Sequence, residues 1–456
     1  APDVLLKRCS NCYSGGQIVP IFSKKDDINE QNNQMAEKAL RVIAVAYKDV
    51  EKLPEMQDVE KDLIFCGLIG MIDPPREGVK EAVRTCRRAG IKTVMITGDH
   101  LQTAKAIAKE LGILKRGDLA IDGETLERMS QHELEQNIMD YSVFARVSPE
   151  HKVRIVKAWQ ANGEIVAMTG DGVNDAPALK TADIGCAMGI VGTDVAKEAA
   201  DVILTDDNFA TIVSAVEEGR RIYDNILKAI QFLLSSNVGE IIVLFVAILI
   251  TPLLSKIFGI DIHLIEPLLP IHILWINLVT DSLPALALAV DPAEKDVMER
   301  KPIKPKKGIF TNGMSWRIIY QGVMIGLLTL AAFIIGLGTK DVPIIEGLTE
   351  QEVRVEIGQT MAFIVLALSE LTHVFNIRNN KKSIFKTNIF NNSKLILAIL
   401  TSSALMFVIL LIPSLRSIFS IPVLPIGNIV EIVILVLMPI VIVEIFKLFK
   451  INTIGE

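Results

Sequence analysis

The sequence is poor in cysteine, in aromatic residues and in positive charge. Its 456 residues include five cysteines and 5% aromatic residues, and the formal net charge is −6. All five cysteines lie in the first half, which fits a reducing cytosol and argues against a disulfide framework. Cys9 and Cys12 form a C-x-x-C pair without a second pair or nearby histidines, so structural thiols are favoured over a metal or redox site. No basic cluster is interleaved with aromatics, and nothing indicates nucleic-acid binding.

The amino terminus lacks an initiator methionine and a signal peptide, since the chain begins Ala1-Pro2-Asp3. We therefore expect the sequence to start inside a longer protein. Up to about Tyr223 charged residues alternate with short apolar runs, and long apolar stretches follow. This shift predicts a water-soluble first half and a membrane-embedded second half.

One stretch of the first half, residues 168–177, combines several chemical features. It follows the apolar run 165–167 and precedes a helix-like segment. This pattern predicts a loop at the carboxyl end of a parallel strand, where open α/β sheets bind ligands. Asp171, Asn174 and Asp175 supply hard oxygen ligands of the kind that Mg²⁺ takes beside a phosphate.

Two further signals lie where predicted strands and helices meet. Thr97 ends the predicted buried strand 91–96, and the alternation of strands with helices predicts a parallel sheet. Lys152 lies in the first turn of the helix predicted after Ser148, where a cation opposes the helix dipole. A T-G-D alone is more often a helix N-cap, and Lys152 alone is compatible with an exposed surface. Together with the stretch 168–177, they favour a phosphate site.

These motifs resemble, in order and spacing, those of the haloacid-dehalogenase-like phosphohydrolases and, within them, the P-type cation-pumping ATPases. The resemblance implies an α/β haloacid-dehalogenase-like (Rossmann-like) phosphorylation domain that uses ATP and Mg²⁺, with Asp171 holding the Mg²⁺. The catalytic residues that it implies are Thr97, Gly98, Asp99, Lys152, Asp171, Asn174 and Asp175. The residues that it implies for ATP binding are Arg41, Thr97, Gly98, Asp99, Arg146 and Lys152.

The family's first motif, Asp-Lys-Thr-Gly-Thr, is absent from the sequence. In the family its aspartate accepts the phosphoryl group and precedes the nucleotide-binding insertion. The resemblance therefore implies the carboxyl-terminal half of a pump, which needs the missing amino-terminal half as its partner and is inactive alone. The implied domains are the end of the nucleotide-binding domain (1–66), the phosphorylation domain (67–223) and an all-α transmembrane domain (224–456). Residues 73–76 (Asp-Pro-Pro-Arg) resemble the family's hinge, although an ordinary strand-to-helix turn is equally compatible.

Six apolar segments in the second half are candidates to cross a hydrocarbon core of about 30 Å as helices, the fourth being borderline by length. They are, approximately, 226–251, 268–290, 316–337, 359–376, 394–413 and 429–447. The loops 291–315 and 377–393 are basic, whereas the loop 338–357 is mainly acidic. The positive-inside rule then places the basic loops and the soluble half in the cytosol. We expect a multi-pass protein of the cell membrane, embedded in the lipid bilayer.

Polar residues inside the predicted spans are informative because an unpaired carboxylate is costly in hydrocarbon. They are Asn237 and Glu240 in the first span, Asn277, Thr280 and Asp281 in the second, and Glu370 in the fourth. Pro284 removes a backbone donor one turn after Thr280 and can free a carbonyl oxygen. This all-oxygen inventory suits a hard cation such as Ca²⁺ and argues against Cu⁺ or Zn²⁺. Hydrogen bonding between helices is the alternative, which the presence of three carboxyl groups disfavours.

Residues 236–240 (Ser-Asn-Val-Gly-Glu) and 275–285 resemble the fifth and sixth spans of calcium pumps of the sarcoplasmic-reticulum type. The resemblance implies ATP-driven Ca²⁺ transport through an aspartyl-phosphate. It implies one calcium site formed by Asn237, Glu240, Thr280, Asp281 and Glu370, and a second to which Asn277 and Asp281 contribute. Two alternatives stay open: a pump for Mn²⁺ or Na⁺, and a catalytically silent half-pump that acts as a membrane regulator.

Overall fold

The structure is a computed structural model that describes residues 2–38, 40–50, 55, 58–71, 75–294, 296–303, 308–310, 313–340, 342–380, 382–386 and 388–451. The chain forms two compact units. The first comprises residues 1–217 with 298–302, and the second comprises residues 218–297 with 303–456. The proposed hinge at 73–76 falls partly outside the described residues, because Asp73 and Pro74 are not among them.

The first unit begins with a four-stranded sheet in the order β2-β1-β4-β3. Its strands are β1 (Cys9–Ser14), β2 (Gln17–Pro20), β3 (Arg41–Tyr47) and β4 (Leu63–Met71), accompanied by helices α1 (Pro2–Leu5) and α2 (Lys25–Glu37). β4 pairs with β3 as far as Met71. β4 therefore runs without a break across residues 66 and 67, where the sequence analysis placed a domain boundary.

The rest of the first unit contains two three-stranded parallel sheets, in the orders β5-β7-β6 and β10-β9-β8. The strands are β5 (Met95–Ile96), β6 (Leu119–Asp122), β7 (Tyr141–Ala145), β8 (Ala167–Gly170), β9 (Ile184–Met188) and β10 (Val202–Leu204). The helices are α3 (Val79–Arg88), α4 (Leu101–Leu111), α5 (Gly123–Arg128), α6 (Gln131–Asn137), α7 (Pro149–Ala161), α8 (Ala176–Thr181) and α9 (Asp194–Ala199). The predicted α/β class is confirmed.

Helix α7 contributes to the cores of both parallel sheets. Ile155 packs in the cluster that contains Phe144 of β7, and Val156 packs in the cluster that contains Met168 of β8. Ile96 of β5 contacts both clusters. Among the described strands, β5 and β8 each have a hydrogen-bonded neighbour on one side only. The single parallel sheet expected from the sequence is therefore two sheets here, and their edge strands are β5 and β6 in one and β8 and β10 in the other.

The second unit is helical, and all six predicted apolar segments coincide with helices long and apolar enough to cross a membrane. They are α10 (Phe209–Phe258), α11 (Pro270–Trp275) with a π turn (Ile276–Thr280) and α12 (Ser282–Ala289), α13 (Met314–Leu337), α14 (Glu350–Arg378), α15 (Ser393–Leu411) and, after the short α16 (Pro413–Ile418), α17 (Ile426–Leu448). The boundary predicted between residues 223 and 224 falls inside α10, which is continuous.

Helix α14, the borderline fourth span by sequence, is the most enclosed of these helices. Within its most apolar window, 83% of the residues are buried. It packs against α13 and α17. A Cβ placed on Gly336 of α13 would come within 2.4 Å of the Cα of Gly358, so the backbones of α13 and α14 are in direct contact at this point. The segment can have a low mean hydropathy because most of its side chains pack against other helices.

Candidate functional site

The loop after β8 closes around the carboxylate of Asp175. One oxygen, Oδ2, accepts hydrogen bonds from the backbone N–H groups of Asp171 at 3.2 Å and Gly172 at 3.1 Å. The other oxygen, Oδ1, accepts a hydrogen bond from Nζ of Lys152. Asp175 is buried, and its negative charge is compensated on both sides. The protein itself thus provides the anion that Lys152 requires in the first turn of α7.

Gly170 makes this arrangement possible, because a Cβ at this position would lie 2.4 Å from the Cβ of Asp175. Asp171 and Asn174 are exposed beyond the closed loop, and the carbonyl oxygen of Asp171 accepts a hydrogen bond from the backbone of Thr193 at 2.8 Å. The loop therefore buries the Asp175 carboxylate and exposes the Asp171 carboxylate and the Asn174 amide to solvent. Such oxygens fit Mg²⁺, which retains several waters and binds through one or two carboxylates.

The Thr97-Gly98-Asp99 segment follows β5 and is folded on itself. The Thr97 hydroxyl donates to Oδ2 of Asp99 at 2.9 Å and accepts from the Asp99 N–H at 3.1 Å. The hydroxyl predicted to donate to a phosphate oxygen is therefore engaged with Asp99 in this structure. Gly98 is exposed.

Arg146 continues from β7 in the left-handed region, with φ of 50°, and its N–H donates to the carbonyl oxygen of Asp99 at 3.2 Å. Its guanidinium forms two hydrogen bonds with the Asp3 carboxylate, at 3.0 and 3.1 Å. These bonds hold the pKa of Asp3 at about 2. Burial and the nearby Arg146 charge lower the pKa of His100.

The predicted ATP and phosphate residues thus fall into two groups. Backbone contacts join Asp99 to Thr97 and Arg146, and the closed loop joins Lys152 to Asp175. Within the described part of the chain, no hydrogen bond connects one group with the other. The side chain of Arg41 lies outside the described residues.

In the membrane unit, Asn277 contacts Glu240. The Asn277 amide donates to both carboxylate oxygens of Glu240, at 2.8 and 3.0 Å. Glu240 lies on α10 and Asn277 in the π turn, so this contact ties the two spans together. Glu240 is buried, whereas Asn277 is exposed in this chain.

Asp281 and Glu370 are almost completely buried, with 1% and 0% exposure, and Thr280 is equally enclosed. Among the described residues, neither carboxyl group nor the Thr280 hydroxyl forms a hydrogen bond of standard geometry, although Asp281, Glu370 and Ser236 lie close to one another. Asp281 and Glu370 lie close enough for their charges to interact with each other and with Glu240. Buried oxygen atoms without partners are rare, and a cluster of them has the chemistry to hold a cation.

The backbone around Asp281 departs from an ordinary helix. The N–H of Asp281 donates to the carbonyl oxygen of Ile276 at 3.0 Å, which closes the wide turn. Pro284 frees the carbonyl oxygen of Thr280, as predicted, but the hydroxyl of Ser402 on α15 donates to this oxygen at 3.3 Å. The freed carbonyl is therefore used within the protein, not left open toward an ion.

The sequence reasoning missed Ser236, which is fully buried beside Asp281 and Glu370. Its spacing of four residues from Glu240 places both on one face of α10 and could have indicated it. Asn237 is half-buried, and no hydrogen bond joins it to the other site residues in the portion of the chain described. Over the same portion, no three His, Cys, Asp or Glu side chains converge tightly enough to hold a metal on their own. A cation at this position would therefore need further oxygen donors besides the carboxyl groups.

Comparison with protein families gives separate matches for the helical region and for the α/β region of the chain. Residues 265–449 match the family described as cation transporting ATPase, C-terminus. Residues 22–183 and 152–216 match two families of haloacid dehalogenase-like hydrolases.

Curated proteins similar to the chain carry related names. It is 51% identical over 424 residues to a calcium-transporting ATPase of Bacillus subtilis, covering 92% of this chain and 45% of that protein. It is 36% identical over 456 residues to an endoplasmic reticulum calcium ATPase of Aspergillus fumigatus, covering 92% and 46%. It is 37% identical over 419 residues to calcium-transporting ATPase type 2C member 1 of Pongo abelii, covering 92% and 42%. The chain thus spans less than half the length of these relatives, and it belongs to the family of P-type cation-transporting ATPases.

Proposed function

We propose that the chain forms part of a pump that uses ATP to transport Ca²⁺ across a membrane through an aspartyl-phosphate, with the phosphoryl acceptor supplied by a segment outside this chain. The observation that carries the proposal is the group of buried carboxyl oxygens without partners at Asp281 and Glu370, next to Glu240. Their position within membrane-spanning helices fits a transported cation. The names of the relatives support Ca²⁺ as that cation.

The free edges of β5 and β8 support the phosphorylation chemistry. A parallel strand hydrogen-bonded to both edges would end at the same side of the sheets as these strands, beside Thr97 and Asp171. An aspartate at the end of such a strand would meet the residues that the sequence assigns to phosphoryl transfer. The nucleophile in this proposal therefore belongs to the missing amino-terminal half.

In this proposal, each residue of the phosphate site has a distinct task. Lys152 neutralises the charge of the phosphoryl group, and Asp175 holds the Lys152 side chain in position. The Thr97 hydroxyl turns away from Asp99, and Thr97 and Gly98 then contact the phosphoryl oxygens. Asp171 and Asn174 would hold Mg²⁺, which would neutralise the charge that develops during transfer. Arg41 and Arg146 bind the nucleotide. To do so, Arg146 releases the Asp3 carboxylate and contacts ATP instead.

The cation site combines the side chains of three spans. Glu240 and Asn237 come from α10, Asn277, Thr280 and Asp281 from the second span, and Glu370 from α14. Carboxylate, amide and hydroxyl oxygens are the donors that Ca²⁺ prefers, and they also accommodate Mn²⁺ or Na⁺. We assign Ca²⁺ because three carboxyl groups suit a divalent ion and the relatives are named for calcium. In this arrangement the soluble unit lies in the cytosol and the protein in the cell membrane.

The deciding experiment is acid-stable phosphorylation of the full-length gene product by labelled ATP, with and without micromolar Ca²⁺. We expect label only with Ca²⁺, and its loss in Asp281→Asn and Glu370→Gln. Label that requires Mn²⁺ or Na⁺ would support a pump but would assign a different transported ion. Absence of label under all conditions would favour a silent membrane regulator, and normal Ca²⁺-dependent labelling of Asp281→Asn would refute the cation site.

A further inference from the structure

A second buried cluster lies in the membrane unit, centred on Asp291 just after α12. Its carboxylate contacts Nζ of Lys228 on α10 at 3.4 Å and the guanidinium of Arg378 at the end of α14 at 2.9 and 3.1 Å. The amide of Asn392, immediately before α15, donates to the same carboxylate at 2.9 Å. The backbone carbonyl of Asp291 accepts from the Asn225 amide of α10 at 2.8 Å. One residue therefore joins the ends or flanks of four spans.

The cluster is enclosed and balanced in charge. Asp291 is 3% exposed, and Lys228 is 8% exposed. Lys228 also contacts Glu294 at 3.4 Å, so two acidic groups face the two cations Lys228 and Arg378. Buried ion pairs contribute little net stability, and in some proteins they specify one arrangement of the elements that carry them. This specificity is the property that a cluster between helices can supply.

Three of the joined spans are those that carry the buried carboxyl groups. Asp291 follows Asp281 by ten residues, Lys228 precedes Glu240 by twelve, and Arg378 follows Glu370 by eight. At about 1.5 Å per residue, these separations correspond to roughly 12 to 18 Å along each helix. The Asp291 cluster thus fixes the relative heights of α10, α12 and α14 at one end, and with them the spacing of Glu240, Asp281 and Glu370.

We propose that Asp291 is a positioning residue for the cation site: it sets the register of the three carboxyl-bearing helices without touching the ion. This inference rests on the function proposed above. Loss of its charge leaves Lys228 with Glu294 alone and Arg378 with neutral partners, so the two helices lose their common anchor. The three carboxyl groups then sample a wider range of separations, and a cation binds them less tightly.

The test measures Ca²⁺-dependent phosphorylation of the full-length protein carrying Asp291→Asn. We expect the half-saturating Ca²⁺ concentration to rise at least fivefold, with the maximal label per folded protein unchanged at saturating Ca²⁺. The matched control is Glu294→Gln, which removes the other acid that contacts Lys228 from a more exposed position and should shift the concentration less than twofold. An unchanged Ca²⁺ dependence in Asp291→Asn would overturn the proposal.

A double variant separates positioning from general instability. Asp291→Asn with Arg378→Gln restores the balance of charge, because Lys228 keeps Glu294, but it still lacks the carboxylate that joins α10 to α14. We expect the thermal unfolding temperature to recover while Ca²⁺ affinity stays weak. Recovery of Ca²⁺ affinity together with stability would overturn the inference.

Asn392→Ala removes only a neutral partner of Asp291 and provides a milder variant if Asp291→Asn fails to fold. We expect the half-saturating Ca²⁺ concentration to rise in Asn392→Ala as well, by a smaller factor, and the absence of a rise would count against the proposal. Wild-type protein without cation-dependent label would refute the proposed function itself, and this inference with it.

Discussion

Asn277 holds both carboxylate oxygens of Glu240 with one amide group, at 2.8 and 3.0 Å. Hydrogen bonds to a charged acceptor are stronger than those between neutral groups, and this pair spans two helices. We expect Asn277→Ala to lower cation affinity about tenfold, or about 1.4 kcal/mol. The measurement is the cation concentration that gives half-maximal phosphorylation. Asn428→Ala, which removes an amide that contacts Thr339 elsewhere in the unit, serves as the control and should leave this concentration unchanged.

The two glycines that flank Asp171 should respond differently to the same substitution. A Cβ on Gly170 would overlap Asp175 at 2.4 Å, whereas a Cβ on Gly172 would lie 3.6 Å from the nearest atom of Asp175, at ordinary contact distance. We expect Gly170→Ala to displace Asp175 from Lys152 and abolish phosphorylation, and Gly172→Ala to keep most of it. Equal labelling of the two variants would contradict this view of the loop.

Removal of the Lys152 charge should lower the stability of the soluble unit and also impair its phosphorylation. Asp175 is buried, and Lys152→Gln would leave its carboxylate with backbone donors only. Leaving a buried charge without its ion-pair partner costs about 3 kcal/mol. Thermal unfolding in detergent should show a lower midpoint for Lys152→Gln and a nearly normal one for Lys152→Arg, which keeps the positive charge. A normal midpoint for the glutamine variant would show that the pair adds no stability.

The ion pair between Asp3 and Arg146 should contribute stability that depends on pH. Because the pKa of Asp3 is lowered to about 2, below its ordinary value of 3.8, the contribution is present above pH 4 and disappears as the pH falls toward 2. Both side chains are partly exposed, so the effect is about 0.5 kcal/mol. The difference in unfolding midpoint between wild type and Asp3→Asn should therefore shrink as the pH falls from 4 to 2. A difference independent of pH would assign it to packing instead of charge.

The sequence predicted the fold well wherever periodicity and local chemistry determine structure. Apolar runs identified all six spans, and the alternation of strands and helices identified the α/β class. Local pattern did not reveal that β4 and α10 run unbroken across the proposed domain boundaries near residues 66 and 223. The free edges of β5 and β8 could not be read from local pattern, since strand pairing depends on segments distant in sequence.

The site residues show a similar division. Residue types and spacing singled out Asp175 and Lys152, but their direct contact depends on the fold of the loop and on Gly170. Ser236 and Asp291 escaped notice because a serine in a span and an aspartate in a loop are unremarkable until the neighbouring helices are known. The use of the Thr280 carbonyl by Ser402 was equally hidden, because 122 residues separate the two.

The enclosure of α14 also determines what surrounds Glu370. Over most of its length this helix contacts protein side chains, and at Gly336 and Gly358 it touches the backbone of α13. Most of this helix is therefore shielded from acyl chains by the surrounding helices. Bilayer thickness and lateral pressure can reach the Glu370 carboxyl only as a mechanical load passed through neighbouring helices.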